Sequence, residues 1–416
     1  MMPNFVKCMA QDIMHGTYLG VFKLLMGLWF STACDQAAYS LNSVVHIVDA
    51  RLNQIHPPSF VQRLPRSIGK HLKHWKASEY KLFMMFYSVP VLQGILDEEY
   101  FQHYVKLVSA VFLLGQDSIS LQDVETARSL LHSFVSDFER LYGLRYLVLN
   151  VHQLLHLPDV VLELGPTWVY ACFFLEGMNA YLLKMFHGTR HVGLQICTAA
   201  STFITLPVSI RSLDVSPLKQ FCEYLVSDVK NVKISEQIPP LSSSSFSIGK
   251  YTKLRVLPQG VSQAMALANL PACGNWQQFH RFRKKGIMYC AGTYTRMKSR
   301  HSSHVLLVIN NESKFCKVNY FFKRTACDCT GVCQCPGDFY GVGTLYRPKY
   351  WAAIHVIENV RLPYFLSVEC IDEIVAFPIQ SIRSLCFYMR VDNNDHIAKP
   401  LNSLEVEYVW GLGTRY

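Results

Sequence analysis

Asp12 and His15 stand three residues apart in the run Asp12-Ile-Met-His15. On a helix that spacing brings a carboxylate and an imidazole to one face, a pair that can orient a proton or share a cation. The plainer reading is a capping aspartate beside a core histidine. His152 and His156, in the run NVHQLLHL, also share a helical face and have the spacing of zinc ligands, although no glutamate follows His152 as it would in a metalloprotease. Glu176 is the only charged residue between Glu163 and Lys184, in a stretch that includes Trp168, Tyr170, Phe173, Phe174 and Leu175. A carboxylate in apolar surroundings is costly to keep ionised unless it is paired, hydrogen-bonded or bound to a metal, so Glu176 is expected to be buried and compensated. Further on, Cys327, Cys329, Cys333 and Cys335 fall within nine residues and could supply the four thiolates of a tetrahedral zinc site. Lys323 and Arg324 stand just before them and favour thiolate formation. The spacing of one, three and one residues departs from the usual two-residue knuckle, and a cysteine-rich loop between strands is the simpler reading.

The formal charge of +10 is concentrated in one segment. Arg281, Arg283, Lys284, Lys285, Arg296, Lys298, Arg300, Lys314, Lys317, Lys323 and Arg324 stand against Glu312 as the only acid between 281 and 324. Such a patch calls for an acidic partner, nucleic acid first, and Arg281, Arg283, Lys284, Lys285, Arg296, Lys298 and Arg300 are the expected DNA contacts. Phe279, Phe282, Tyr289, Tyr294, Tyr320, Phe321 and Phe322 are interleaved with the charges. They could serve as stacking faces for bases, or as the inward face of ordinary strands.

The elements that must hold these residues differ along the chain. Up to about residue 215 the pattern is helical. Asp12 to Phe30 is apolar on nearly every face, Ser40 to Ile55 is periodic up to Pro57-Pro58, and Ser78 to Val89 is expected to stop before Pro90. Asp97 caps the next predicted helix, and Ser120 with Asp123 forms a capping box ahead of a long amphipathic stripe that ends at Gly143. Helices follow over roughly Tyr146 to Leu157 and Leu175 to Phe186. Pro239-Pro240 and Ser242 to Ser245 suggest a flexible linker after a short helix within 217–232. Beyond about 281 come short β-type runs: Ile287 to Tyr294, Val305 to Ile309, Lys317 to Phe322, Trp351 to Val360, Phe365 to Val368 and Ser384 to Val391. Asn310-Asn311 and Asn393-Asn394 are the expected turns.

The 416 residues, half of them apolar, suffice for a sizeable core and two or three domains. Lys23 and Glu176 interrupt the longest apolar runs, so no membrane span is expected, and the N-terminus does not resemble a secretory signal. A reducing, intracellular setting follows, in which the 14 cysteines are mainly small buried apolar residues. Gly341-x-Gly343 lacks the third glycine of a dinucleotide loop.

Taken in order, Asp12-x-x-His15-Gly16, Pro65-Arg66-Ser67-Ile68, Trp75-Lys76-Ala77-Ser78-Glu79-Tyr80, Asn150-Val151-His152, Gly165-Pro166-x-Trp168, Leu175-Glu176-Gly177-Met178-Asn179 and Phe186-His187-Gly188-Thr189 resemble the C-terminal half of CACTA (En/Spm-like) transposases of animal genomes. The resemblance covers about residues 1–195. It implies an interrupted ribonuclease H-like fold in which two aspartates and a glutamate hold divalent cations such as Mg2+ for strand cleavage. Glu176 would be the third acid, and Asp12 with His15 the motif that follows the second aspartate. The first two aspartates have no counterpart ahead of Asp12, and Phe174 takes the place of the family's proline two residues before the glutamate.

The expected architecture is α+β. A ribonuclease H-like remnant (1–33), a helical insertion (34–160) and a returning segment (161–215) precede a linker with a short helix (216–280) and a basic β-rich barrel or sandwich (281–416). The expected function is that of a truncated, transposon-derived protein in the nucleus that binds DNA or protein partners, or its own copies, without cleaving DNA by itself. The alternatives are the C-terminal part of an active transposase whose aspartates lie upstream, needing Mg2+, and a zinc-stabilised interaction scaffold.

Overall fold

In the computed structural model the helix that begins beside Asp12 runs through the middle of the helical region. The structure describes residues 11–400 apart from 62, 185–186, 227–233, 238–244, 272–274, 285, 297–298, 326–337 and 350–363. Met14–Phe22 winds as a π-helix and Lys23–Phe30 continues it as an α-helix. Phe22 and Trp29 are fully buried; Phe22 stacks on Tyr104 at 5.7 Å and Trp29 meets the same ring edge-on at 5.1 Å. Such aromatic pairs add stabilisation beyond the area they bury. One face of the opening helix is therefore set into the core, while His15, Lys23 and Gly27 reach solvent.

The helices around it begin and end for local reasons. Glu98–Leu114 starts where the Asp97 carboxylate accepts the Glu99 N–H at 3.0 Å, and it buries Phe101, Tyr104, Val108 and Val111. Leu121–Tyr142 opens with the reciprocal Ser120–Asp123 capping box, worth about 1 kcal/mol, and ends at Gly143 with φ of 95°. Two sequence boundaries move. The helical run that starts at Ala77 passes Pro90 and ends at Leu92, because a π-helical turn, Phe83–Tyr87, loosens the ladder just before the proline. Within it the Met84 carbonyl is taken by the hydroxyls of Ser88 (2.9 Å) and Tyr104 (3.5 Å). The stretch expected as one helix from Tyr146 to Leu157 divides into Leu149–Gln153, a 3-10 turn Leu154–His156, and Leu157–Leu164, the last with Pro158 in its first turn.

The braces of this region come from residues that form the ordered motifs. Glu79, almost fully buried, receives Arg66 through both carboxylate oxygens (2.5 and 2.7 Å) and also accepts the Lys76 N–H at 2.9 Å. A side chain on Gly20 would collide with Asn150 at 2.6 Å, so the opening helix and the Asn150 segment touch backbone to side chain.

Val192–Arg211 is a long helix that the sequence reading does not name, its apolar residues being interrupted by threonines and serines. Among the described residues it is the one helix long and apolar enough to cross a membrane, with a mean hydropathy of 1.4 over its best window. Leu194, Phe203, Ile204 and Val208 on it are exposed, and Thr202 and Thr205 donate their hydroxyls to the carbonyls four residues back.

The strands are β1 (Ile234–Gln237), β2 (Phe246–Ile248), β3 (Thr252–Leu254), β4 (Trp276–Phe279), β5 (Arg281–Lys284), β6 (Ile287–Cys290), β7 (His304–Ile309), β8 (Glu312–Arg324), β9 (Phe339–Pro348), β10 (Phe365–Pro378), β11 (Ile382–Leu385), β12 (Phe387–Val391) and β13 (Asn394–Ala398). One antiparallel sheet has the order β1-β2-β5-β6; the other runs β11-β7-β8-β9-β10-β13-β12, with β4 on β8 and β3 on β4. The molecule is thus α+β. Among the described pairings the larger sheet is an open path rather than a closed ring. Residues 216–280, expected as a linker, already carry β2, β3, β4 and a helix over Gln259–Leu267; strands of three or four residues are too short to show periodicity. Asn310-Asn311 forms the expected hairpin turn, with φ of 51° and 63°. The other turn is Asp392-Asn393 (46° and 63°), one residue earlier than expected.

The two regions share a core. Phe387 stacks on Phe86 at 4.0 Å and Tyr364 on Phe112 at 3.9 Å, and both belong to the same cluster of buried residues as the central helix. Gly341 and Gly343 on β9 serve packing. A Cβ on Gly343 would lie 2.3 Å from the Lys317 carbonyl oxygen, and one on Gly341 would enter the Phe377 ring at 2.5 Å. Trp351 to Val360, Pro239-Pro240 and Ser242 to Ser244 lie outside the described residues.

Candidate functional site

Asp12 lies just ahead of the opening helix and does two jobs. Its Oδ1 accepts the N–H of Met14 at 3.1 Å and that of Cys172 at 2.9 Å, while Oδ2 accepts the His15 N–H at 3.2 Å and meets the His15 ring at Nδ1. The first set of bonds starts the helix; the bond to Cys172 ties in a segment 160 residues later. Burial pushes the Asp12 carboxyl up, but the Cys172 N–H, the His15 ring, the Met14 N–H and the Cys172 thiol outweigh it, and the net shift is downward. Cys172 responds in the opposite direction: burial, its hydrogen bond to Asp12, and the charges of Asp12 and Glu176 all raise its thiol.

Cys172 leads into the helix Phe173–Leu182, and its carbonyl accepts the Glu176 N–H at 2.8 Å. That turn brings Glu176 back over the opening helix, with Oε1 3.5 Å from His15 Nε2. His15 therefore stands between two carboxylates, one at each ring nitrogen. Among the described residues, the only cluster of three or more potential metal-binding side chains is Asp12, His15 and Cys172, whose ligand atoms lie within 4.8 Å of one another.

The expected burial of Glu176 is overturned: its side chain is 59% exposed. The helix that carries it sits on the rim of the core, anchored through Phe173, whose ring is 6.1 Å from Tyr18. Phe174, Leu175 and Met178 meet solvent, and so does Glu176. Solvation removes the penalty on which the burial argument rested. Its proximity to Asp12 and His15 stands apart from that argument. Cys172 has no signal in the sequence, since a single cysteine flanked by Ala171 and Phe173 looks like core.

A small cleft adjoins the cluster, lined by Ile13, Tyr18, Lys81, Thr167, Trp168 and Phe173. Burial pushes the Lys81 ammonium down to about 7, and its Nζ lies 5.2 Å from the centre of the Phe173 ring. His152 and His156 are both exposed with their Nε2 atoms 3.4 Å apart, and no third ligand joins them among the described residues.

The cluster does not fit the pair of Mg2+ ions that the transposase resemblance implies. Mg2+ requires near-octahedral oxygen ligands. Here Asp12 has most of its lone pairs engaged by backbone N–H groups, and beside it stand an imidazole and a thiol.

The basic segment is divided in its uses. Arg281 and Arg283 flank the fully buried Phe282 on β5 and so share its outward face; Arg281 lies 4.9 Å from the Tyr294 ring, and Arg283 donates to the Gly286 carbonyl at 3.0 Å. Arg296 is exposed in the following loop. Lys284, on the other face, donates to the Ile382 carbonyl at 2.7 Å. Arg300 is a brace between the two regions: it donates to the carbonyls of Pro58 (3.3 Å) and Val61, beside the bond from the Ser59 N–H to Ser302 Oγ at 2.8 Å. This corrects its place among the free cations, since burial holds its guanidinium below the usual range. Lys285, Lys298 and all of Cys327, Cys329, Cys333 and Cys335 lie outside the described residues.

Of the two readings of the interleaved aromatics, the burial agrees with the inward face of ordinary strands. Phe279, Phe282, Tyr289, Phe321 and Phe322 are buried in the sheet region, leaving Tyr294 and Tyr320 half-exposed. A register shift on β8 between Val318 and Tyr320 changes which residues face inward and so brings Phe321 in after Cys316 and Val318.

Compared with known proteins, the chain matches no family model, no curated protein and no solved structure.

Proposed function

We propose that this chain is a transposon-derived protein, the remnant of a CACTA-like transposase, that binds DNA through the outward face of β5 and its neighbouring loop and does not cleave DNA by itself. The observation that carries the reading is the convergence of Asp12, His15 and Glu176, which the resemblance groups by motif and the fold brings into one cluster. Further support comes from the motif residues that brace the helical region, Arg66 with Glu79 and Asn150 against Gly20. On this reading the segment around the opening helix and Phe173–Leu182 descends from a ribonuclease H-like catalytic domain. Loss of cutting follows from the donor set, in which one carboxylate is committed to backbone N–H groups and its neighbours are nitrogen and sulfur.

DNA binding here is a matter of phosphate contacts. Arg281 and Arg283 fit charge neutralisation; the inward-facing phenylalanines do not favour base stacking. The test is a mobility-shift titration on duplex DNA at several salt concentrations, with and without magnesium. Binding that weakens steeply with salt and produces no nicked product supports the proposal. Binding indifferent to salt, or magnesium-dependent nicking that Glu176→Ala abolishes, overturns it.

A further inference from the structure

We propose that Asp12, His15 and Cys172 form a zinc site with an open fourth position, and that Glu176 orients the His15 ring from its far nitrogen. The inference stands on geometry and donor chemistry and does not depend on a transposon origin. Two pairs at helical spacing face one another. Asp12 and His15 are three residues apart at the start of the opening helix, and Cys172 and Glu176 are four apart at the start of Phe173–Leu182. The backbone bonds from Cys172 N–H to Asp12 and from Glu176 N–H to the Cys172 carbonyl fix one pair against the other.

The donor set selects the metal. One imidazole, one thiol and one carboxylate suit a borderline cation that takes nitrogen, sulfur and oxygen, with three protein ligands and a fourth tetrahedral position left for water. With zinc–ligand bonds of about 2.0–2.3 Å, neighbouring ligand atoms in a tetrahedral site lie roughly 3.3–3.8 Å apart. The Asp12, His15 and Cys172 atoms need to close in from within 4.8 Å, while Glu176 Oε1, 3.5 Å from His15 Nε2, is placed to accept the ring N–H on the side away from the metal and so fix the tautomer that ligates through Nδ1. His15 and Glu176 are more than half exposed, so both can adjust without disturbing the core. Asp12 remains tied to the backbone through Oδ1 and offers Oδ2 as a single-oxygen ligand, the cation taking over its contact with the His15 ring. The Cys172 thiol proton goes to solvent as the Zn–S bond forms.

The experiment must separate this site from the other cysteine group. In a background with Cys327, Cys329, Cys333 and Cys335 all changed to Ser, zinc content after dialysis against a weak chelator should remain at one equivalent. Adding Cys172→Ala or His15→Gln should lower affinity by about a hundredfold or more. With Co2+ in place of Zn2+, the thiolate-to-cobalt absorption should be present in that background and vanish with Cys172→Ala. Should the four-serine background not fold, the comparison is made in the unaltered chain, where Cys172→Ala and the exposed-site change His15→Gln should each reduce the bound zinc by one equivalent while circular dichroism stays the same. Zinc retained equally by the Cys172→Ala chain, or no zinc in a folded four-serine chain, overturns the proposal.

Discussion

If β5 and the loop after it hold DNA phosphates, the salt dependence of binding can be counted from the structure and the sequence together. Of the seven cations expected at the interface, Arg300 is spent on the Pro58 and Val61 carbonyls and Lys284 on that of Ile382. Arg281, Arg283 and Arg296 remain among the described residues, and Lys285 and Lys298, which lie outside them, are counted with these on sequence alone. Each neutralised phosphate contributes about −0.9 to the slope of log affinity against log salt, so five give roughly −4.5, a loss of about 500-fold between 50 and 200 mM. Arg281→Gln with Arg283→Gln should lower the slope to roughly −2.7, a loss of about 40-fold over the same range. Arg300→Gln should leave the slope unchanged and destabilise the fold by about 2 kcal/mol, since it leaves two carbonyls without their charged donor. Fluorescence anisotropy on a labelled duplex at four or five salt concentrations, with a urea melt of each variant, measures all of this. A slope that stays near −4.5 in the double variant, or one that drops in Arg300→Gln, would refute the division of the patch.

Other expectations follow from the braces and the buried histidines. Glu79→Ala should cost about 3 kcal/mol in chemical denaturation, because it strands Arg66 and removes the acceptor for the Lys76 N–H; a change below 1 kcal/mol would show that the pair carries little. Burial pushes His103, His301 and His396 down to about 4, and His304 further down. The unfolded chain therefore binds more protons between about pH 4 and 6.5, and stability should fall as pH drops through that window; at pH 5 His103 alone accounts for a loss of about 2 kcal/mol. Urea midpoints that do not change between pH 7 and 5 would contradict this. Gly343→Ala should cost about 3 kcal/mol or prevent folding, since a Cβ would lie 2.3 Å from the Lys317 carbonyl; a soluble variant with an unchanged melting temperature would show that the strands can part.

Much of the helical region could be read from local chemistry. Asp97, the Ser120–Asp123 box and Gly143 mark their helix ends because a cap is a contact between residues two to four apart. Pro90 misled because the π-helical turn that accommodates it follows from packing around Met84 and Tyr104. In the site, Asp12, His15 and Glu176 were legible as chemistry, but the exposure of Glu176 was not, since it depends on where its helix docks. Cys172 and the structural role of Arg300 were hidden for a related reason. Each is defined by a partner more than 150 residues away, and spacing carries no record of such contacts.

Phe387 against Phe86 and Tyr364 against Phe112 leave the sheet no life as a portable module. A frameshift that removed it would put two phenylalanine faces into water, and the helical stump would be food for proteases.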